Sequence, residues 1–252
     1  MCELLAISLP APAKVNQVLS EFFSHGTEQP HGWGFALQTP LGPNLEKEPQ
    51  DASKSTYLQS RLSSPILATQ LLAHIRYATK GSIAYANCHP FLAADQQGGH
   101  WMLVHNGTVF DPEKLSPFLE KRQGETDSEG VLFYILDALS RSSSTQEARF
   151  TALAEAIAAL SPRNKLNLIL NDGTFTYVHT NFLKQSLFSS RWHDGLIFST
   201  RPLAHGTWEQ VPLTQLLVFH QGKPVFASKP HGAVYEEDPE ELRVLYQEYA
   251  ML

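Results

Sequence analysis

The residue in this chain whose position suits it best for chemistry is Cys2. Removal of Met1 would leave a thiol and a free α-amine on one residue. Ordinary pKa values of about 8.5 for a thiol and about 7.7–8.0 for an α-amine lie close together, so the amine can take the thiol proton near neutral pH without a separate histidine. A cysteine at position 2 acquires that meaning only from its company, because a small residue near a chain start is otherwise ordinary.

Further groups supply that company. Arg76, in Ala73-His74-Ile75-Arg76-Tyr77-Ala78-Thr79, follows an apolar run that starts at Leu67. Its guanidinium would emerge at the end of a buried strand, where a planar fork suits a carboxylate; a structural salt bridge is an equal alternative. Asp127 falls in the first turn of a helix, where an acid complements the helix dipole, yet Glu129 is already placed to serve that cap. An Arg for an α-carboxylate and an Asp for an α-ammonium make a site for a free or γ-linked amino acid. His105-Asn106-Gly107 closes a strand, and the Asn106 amide with the Gly107 N–H can point at one oxygen as an oxyanion hole. The plain alternative is an Asn-Gly turn. Asn87-Cys88-His89-Pro90-Phe91 is a polar loop stiffened by Pro90, and Gly32-Trp33-Gly34 allows close backbone approach around a large aromatic.

Positioning these groups requires strands and helices that the pattern supplies. Cys2 to Ser8 reads as a strand closed by Pro10 and Pro12, and Val15, Val18, Leu19, Phe22 and Phe23 form one helical face over 14–24, ended by Gly26. A strand over 33–38 precedes 39–51, whose three prolines, glycine and charges predict a loop. A short helix is expected over 55–62, a strand over 67–77, and another over 101–105 that runs into the turn Asn106-Gly107. Thr126 with Glu129, and Ser144 with Glu147, read as capping boxes that open two helices. The segments 165–170 and 174–179 flank Asn171-Asp172-Gly173 as a hairpin, and strands follow at 196–200, 216–220 and 224–227. Strands, helices and strands again predict an α+β architecture with antiparallel sheets in one domain, residues 1–252. An acidic cluster at Glu236 leads into an expected helix that runs to Leu252, on the surface or on a second subunit of a homo-oligomer.

Composition narrows the function classes. The 252 residues carry 19 Lys and Arg against 25 Asp and Glu, a net charge of −6 with no basic cluster, which argues against a nucleic-acid partner. No apolar stretch approaches the roughly 18 residues that span a bilayer, and the start lacks the positive flank of a leader, so an integral membrane protein is not expected. With only Cys2 and Cys88, a disulfide framework is not expected either, and the cytoplasm is the default compartment. Eleven histidines, with His74, His89, His100 and His105 close in sequence, raise a metal site, but paired ligand spacing and HExxH are missing, so none is assigned.

Taken together and in order, Cys2, HGWG at 31–34, AHIRYAT at 73–79, NCHPF at 87–91, VHNG at 104–107 and GETDSE at 124–129 resemble the class II glutamine amidotransferases. The MCELL opening and STRPLAHGTW at 199–208 are similar to their stand-alone bacterial members. The resemblance implies the four-layer αββα fold of N-terminal-nucleophile hydrolases, with no cofactor. It implies Cys2 as nucleophile, Asn106 and Gly107 as the oxyanion hole, Arg76 and Asp127 on the α-carboxylate and α-ammonium of L-glutamine, and Thr79 and His89 lining the pocket. Ammonia and then glutamate would be released. Three departures stand out: His31 where the family often has Asp, which bears on the hydrogen bonding beside Cys2, Tyr77 where Trp is common, and Lys80 where the larger synthases have His. Those synthases also carry an acceptor-using domain, so here a separate ammonia-accepting synthase is the expected partner. The alternatives are hydrolysis of larger γ-glutamyl amides and non-catalytic glutamine binding. A Cys2–Cys88 disulfide would be an oxidative off-switch, against the simpler reading of Cys88 as a buried small residue.

Overall fold

The computed structural model describes residues 2–204 and 206–243, the side chain of Gln185 excepted. Met1, His205 and the last part of the expected C-terminal helix, 244–252, lie outside the described residues.

The strands form two antiparallel sheets. The first holds β1 (Glu3–Lys14), β2 (Trp33–Thr39), β3 (Gly42–Glu48), β4 (Leu67–Ile75), β9 (Phe188–Trp192), β10 (Gly195–Ser199) and β11 (Trp208–Gln210), in the order β11-β9-β10-β1-β4-β2-β3. The second holds β5 (Phe91–Ala94), β6 (His100–Thr108), β7 (Lys165–Asn171), β8 (Phe175–His179), β12 (Leu216–His220) and β13 (Lys223–Ala227), in the order β13-β12-β8-β7-β6-β5. Helices α1 (Asn16–Ser24) and α2 (Thr56–Ser63) cover the first sheet, and α3 (Asp127–Ser140) and α4 (Gln146–Leu160) cover the second.

Strand periodicity explains the layering. Successive side chains point to opposite faces, so a strand buried on both sides must be apolar throughout. In β1, Leu5 and Ile7 pack with Leu19 and Phe22 of α1, while Leu4 and Ala6 meet Val104, Ile169 and Val178 of the other sheet. In β7, Leu166, Leu168 and Leu170 pack with Ile135, Leu153 and Ile157 of the helices, and Ile169 faces between the sheets. Each such side chain stabilises the fold by roughly 1.5–3 kcal/mol relative to exposure. The result is the αββα sandwich.

Several expectations are corrected. Residues 42–48 are not loop but the edge strand β3, paired with β2 from Trp33↔Glu48 to Thr39↔Gly42; an edge tolerates Pro43 and its charges. β1 runs past Pro10 and Pro12, with a register shift between Ser8 and Ala13. Asn106 and Gly107 do not turn: they continue β6, opposite Asn167 and Leu166 of β7. A 3-10 turn, His25–Glu28, carries the chain through Gly26 after α1. The Thr126 box does not close, because Glu129 accepts instead from the N–H groups of Gln123 and Gly124, both at 3.0 Å, and the Thr126 hydroxyl has no partner among the described residues. At α4 the cap is Thr145 rather than Ser144. The short strands β5, β9 and β11 carry too little alternation to be foreseen. Among the described residues no helix is long and apolar enough to cross a membrane.

Four imidazoles, His74, His89, His105 and His179, are buried in this sandwich, and loss of solvation holds all four below their ordinary value, His74 and His179 at about 3. Unfolded histidines titrate near 6.5, so below that pH the unfolded chain binds protons that the folded chain refuses. Stability is therefore full above pH ~6.5 and falls as pH drops, by about 1.4 kcal/mol per pH unit for each of His74 and His179. Urea midpoints measured at pH 7, 6 and 5 should fall steeply, with proton uptake on unfolding; a flat midpoint would contradict neutral burial.

Candidate active site

Cys2 stands at the mouth of the sandwich because β1 is the central strand of its sheet. The pairs Glu3↔Ile75 and Leu4↔His74 bring the chain start alongside the end of β4. On the other side, Leu4 N–H donates to the Thr200 hydroxyl at 3.0 Å. By alternation from Leu4 and Ala6, the Cys2 side chain faces between the sheets. There its thiol donates to the Tyr77 carbonyl at 3.3 Å and its sulfur accepts the Tyr77 N–H at 3.3 Å. Burial pushes the thiol up, and the Tyr77 backbone, Arg76 and Lys165 work against that shift.

Asn106 reaches the same gap from the second sheet, having the parity of Met102 and Val104, which face between the sheets. A small cleft opens here, and Cys2, Thr79, Asn106 and Gly107 all line it. Tyr77, Thr108 and Phe110 add to the wall, together with Lys165 from β7 and Tyr235, Glu237 and Leu242 from the C-terminal segment. A thiol, two candidate oxyanion donors and charged groups of both signs thus share one concave site, an arrangement suited to attack on a carbonyl.

Arg76, Asp127 and His89 are not among the residues that line this cleft. Arg76 is buried, and its guanidinium donates to the carbonyls of Ser82 at 2.9 Å, Lys80 at 2.8 Å and Gly81 at 3.0 Å. It therefore folds the 77–82 loop that presents Tyr77 and Thr79. Glu125 ties the far side of that loop, accepting from Ser82 N at 2.7 Å and from its hydroxyl at 2.8 Å. Asp127 accepts the Val109 N–H at 2.7 Å and so fixes the wall that carries Phe110. His89 stacks on His74 with ring centroids 4.0 Å apart, deep in the molecule, and neither of its ring nitrogens has a partner among the described residues.

His31 holds the loop beside Cys2. Its Nδ1 accepts the Ala78 N–H at 3.0 Å, while backbone bonds His31 N to Arg76 O and Arg76 N to Gly32 O lock the two segments together. Burial, then the positive charge of Arg76, lower its pKa and keep the ring neutral, as an acceptor must be. Cys88 is fully buried and its thiol is directed at the Glu48 and Ala84 carbonyls; burial pushes it up to about 11. Both cysteines are free. Among the described residues no group of three or more His, Cys, Asp or Glu is placed to hold a metal ion.

Lys165, Tyr235 and Glu237 are among the cleft residues that sequence reasoning missed. One signal for Lys165 was present: in KLNLILN, polar Lys165, Asn167 and Asn171 occupy one face of an otherwise apolar strand. Tyr235 and Glu237 carry no such mark. They arrive because Tyr235 N–H donates to Asn181 O at 2.8 Å and its ring stacks on Phe110 with centroids 5.9 Å apart.

Comparison with known proteins places this geometry among relatives. A family model for class-II glutamine amidotransferases matches residues 1–193. YafJ of Escherichia coli, which carries a provisional glutamine amidotransferase name, is 30% identical, the match covering 72% of this chain and 74% of that protein. A solved structure from Pseudomonas aeruginosa, described as a predicted glutamine amidotransferase, has a similar fold with a TM-score of 0.64 at 19% identity, covering 89% of this chain and 100% of that one. Glutamine phosphoribosylpyrophosphate amidotransferase of Bacillus subtilis gives a TM-score of 0.70 at 16% identity over 91% of this chain, and the match spans only 49% of that larger protein.

The β6–β7 crossing leaves no room for a side chain at Gly107, since a Cβ there would lie 1.8 Å from the Lys165 carbonyl. Gly107→Ala should therefore destabilise the protein by about 2–3 kcal/mol. Gly130→Ala, in α3 with neighbours no nearer than 3.5 Å, should be neutral or stabilising by up to ~1 kcal/mol. Thermal melts of the two variants check this, and equal melting temperatures would refute it.

Proposed function

We propose that this chain, which belongs to the class-II glutamine amidotransferases, hydrolyses the side-chain amide of L-glutamine and delivers the ammonia to a separate acceptor enzyme. The observation that carries this reading is the meeting of Cys2 from one sheet with Asn106 and Gly107 from the other in a single cleft.

In this reading the chain acts once Met1 is gone. The α-amine of Cys2 takes the thiol proton, and the sulfur attacks the γ-carbonyl carbon. The developing oxyanion accepts hydrogen bonds from the Asn106 amide and the Gly107 N–H, donors worth most in a partly desolvated site. The α-ammonium then returns its proton to the leaving nitrogen, ammonia departs, and a γ-glutamyl thioester remains on Cys2. Water, deprotonated by the same amine, cleaves the thioester to glutamate. Thr79 lines the pocket. Arg76 and Asp127 are the groups expected to hold the α-carboxylate and α-ammonium, and each also orders the site, Arg76 folding the 77–82 loop and Asp127 fixing the Val109–Phe110 wall. His89 and His74 support the floor.

The test is ammonia and glutamate release from L-glutamine by protein whose mass confirms Cys2 as the first residue. Cys2→Ala should lower kcat by at least ~10³-fold, and Asn106→Ala by ~10²–10³-fold. Turnover of larger γ-glutamyl amides in place of glutamine would move the substrate assignment, and Cys2-independent release would end the mechanism.

A further inference from the structure

Tyr235 closes the cleft from the C-terminal segment, lining the same space as Cys2, Asn106 and Gly107 while only 4% exposed. Its ring lies flat on Phe110, 7° from parallel with centroids 5.9 Å apart, and meets Phe182 edge-on with centroids 5.3 Å apart. Two buried asparagines hold both halves of that stack. Asn164 Oδ1 accepts the Phe110 N–H at 2.8 Å, and the Asn181 carbonyl accepts the Tyr235 N–H, also at 2.8 Å. The Asn181 amide in turn donates to the Asn164 carbonyl at 2.9 Å and to that of Ala233 at 3.3 Å. A ring packed and tied in this way resists displacement, because a group forced against it has to move the backbone of two segments at once.

The α-carboxylate and α-ammonium of glutamine are expected at Arg76 and Asp127, at the end of β4 and the start of α3. A substrate anchored there presents its amide to Cys2 end-on, and the nitrogen leaves past the other walls of the cleft. Lys165 of β7 and Tyr235 and Glu237 of the C-terminal segment make those walls, and Lys184 Nζ holds the Glu237 carboxylate at 2.7 Å. Ammonia needs little more room than water, whereas an amine with a carbon substituent has to displace Tyr235 and with it Phe110. We propose that Tyr235 sets the size of the leaving group, admitting the unsubstituted amide of glutamine and excluding γ-glutamyl amides of larger amines. This assignment rests on the amidohydrolase reading above. It makes Tyr235 the specificity-determining residue between the two substrate classes.

The experiment compares wild type, Tyr235→Ala and Tyr235→Phe on L-glutamine and on γ-glutamylbenzylamide, which is glutamine with a benzyl group on its amide nitrogen. Wild type should favour glutamine at least ~100-fold in kcat/KM, and Tyr235→Phe, which keeps the ring, should keep that preference. Tyr235→Ala should cut the preference below about 10-fold by gaining turnover of the benzylamide. Tyr235→Val carries the same expectation and replaces Tyr235→Ala where the latter does not fold. A wild type that turns over both amides alike overturns the proposal, and so does a preference that survives loss of the ring. Calorimetric titration of both amides into Cys2→Ala and Cys2→Ala/Tyr235→Ala separates the proposal from the reading it rests on. Glutamine bound by both proteins and the benzylamide by the double variant alone, with no turnover by wild type, sustains Tyr235 and sinks the hydrolase. Benzylamide bound equally by the two proteins, or by neither, sinks the role of Tyr235, while glutamine turnover by wild type keeps the hydrolase.

Discussion

The two hydrogen bonds between the Cys2 sulfur and the backbone of Tyr77 tie the start of the chain to the end of β4, and the rest of the site is built around that tie. A chain terminus is ordinarily the least ordered part of a domain. Here β1 lies between β4 and β10, and Thr200 takes the Leu4 N–H, so the residues that follow Cys2 are held within the sheet. That placement suits the proposed use of Cys2 as nucleophile. The thiol must be held still, yet its α-amine must remain unconsumed by the sheet, which a residue just outside the first strand allows.

The inter-sheet space then divides by polarity. Its centre is apolar, with Leu4, Ala6, Leu72, Val104 and Ile169 in contact. Toward the mouth the same faces carry Cys2, Asn106, Thr108, Lys165 and Asn167. Polar groups in such a layer cost stability unless partnered, and the cost is met locally: Thr180 donates to Asn167 at 2.7 Å, and His105 fixes the Lys165 backbone. The crowding has a further consequence at Gly107, where the strand has no space for a side chain because a Cβ would meet the Lys165 carbonyl.

Much of this was legible in the chain itself. Helical faces at 14–24 and 126–160, the hairpin at Asn171-Asp172-Gly173 and the motif set from Cys2 to Glu129 depend on local spacing, and the sheets and helices follow it. What local spacing does not reveal is competition for the same polar group. Asn106-Gly107 has turn chemistry, but β7 offers a ladder partner at each position and the strand continues. Thr126 and Glu129 have capping-box spacing, but the N–H groups of Gln123 and Gly124 reach Glu129 first. The run from 39 to 51 has loop composition, yet pairing along the whole of β2 organises it as an edge strand.

Arg76 is the clearest instance of that competition. From residue type alone a guanidinium at a strand end suits a carboxylate, and in the fold it also donates to three carbonyls of the next loop. A fork with five donors loses little by turning inward, since each backbone carbonyl it satisfies would otherwise need water. The gain is rigidity in the loop that clasps Cys2, and the loop is further held by neutral His31 on the Ala78 N–H and by Glu125 on Ser82. Order in that loop matters because the Cys2 sulfur is bonded directly to the Tyr77 backbone. Lys165, delivered by the opposite sheet and independent of the loop, leaves the support of the Cys2 thiol and the cleft's positive charge on separate elements, so that either can change without displacing the other.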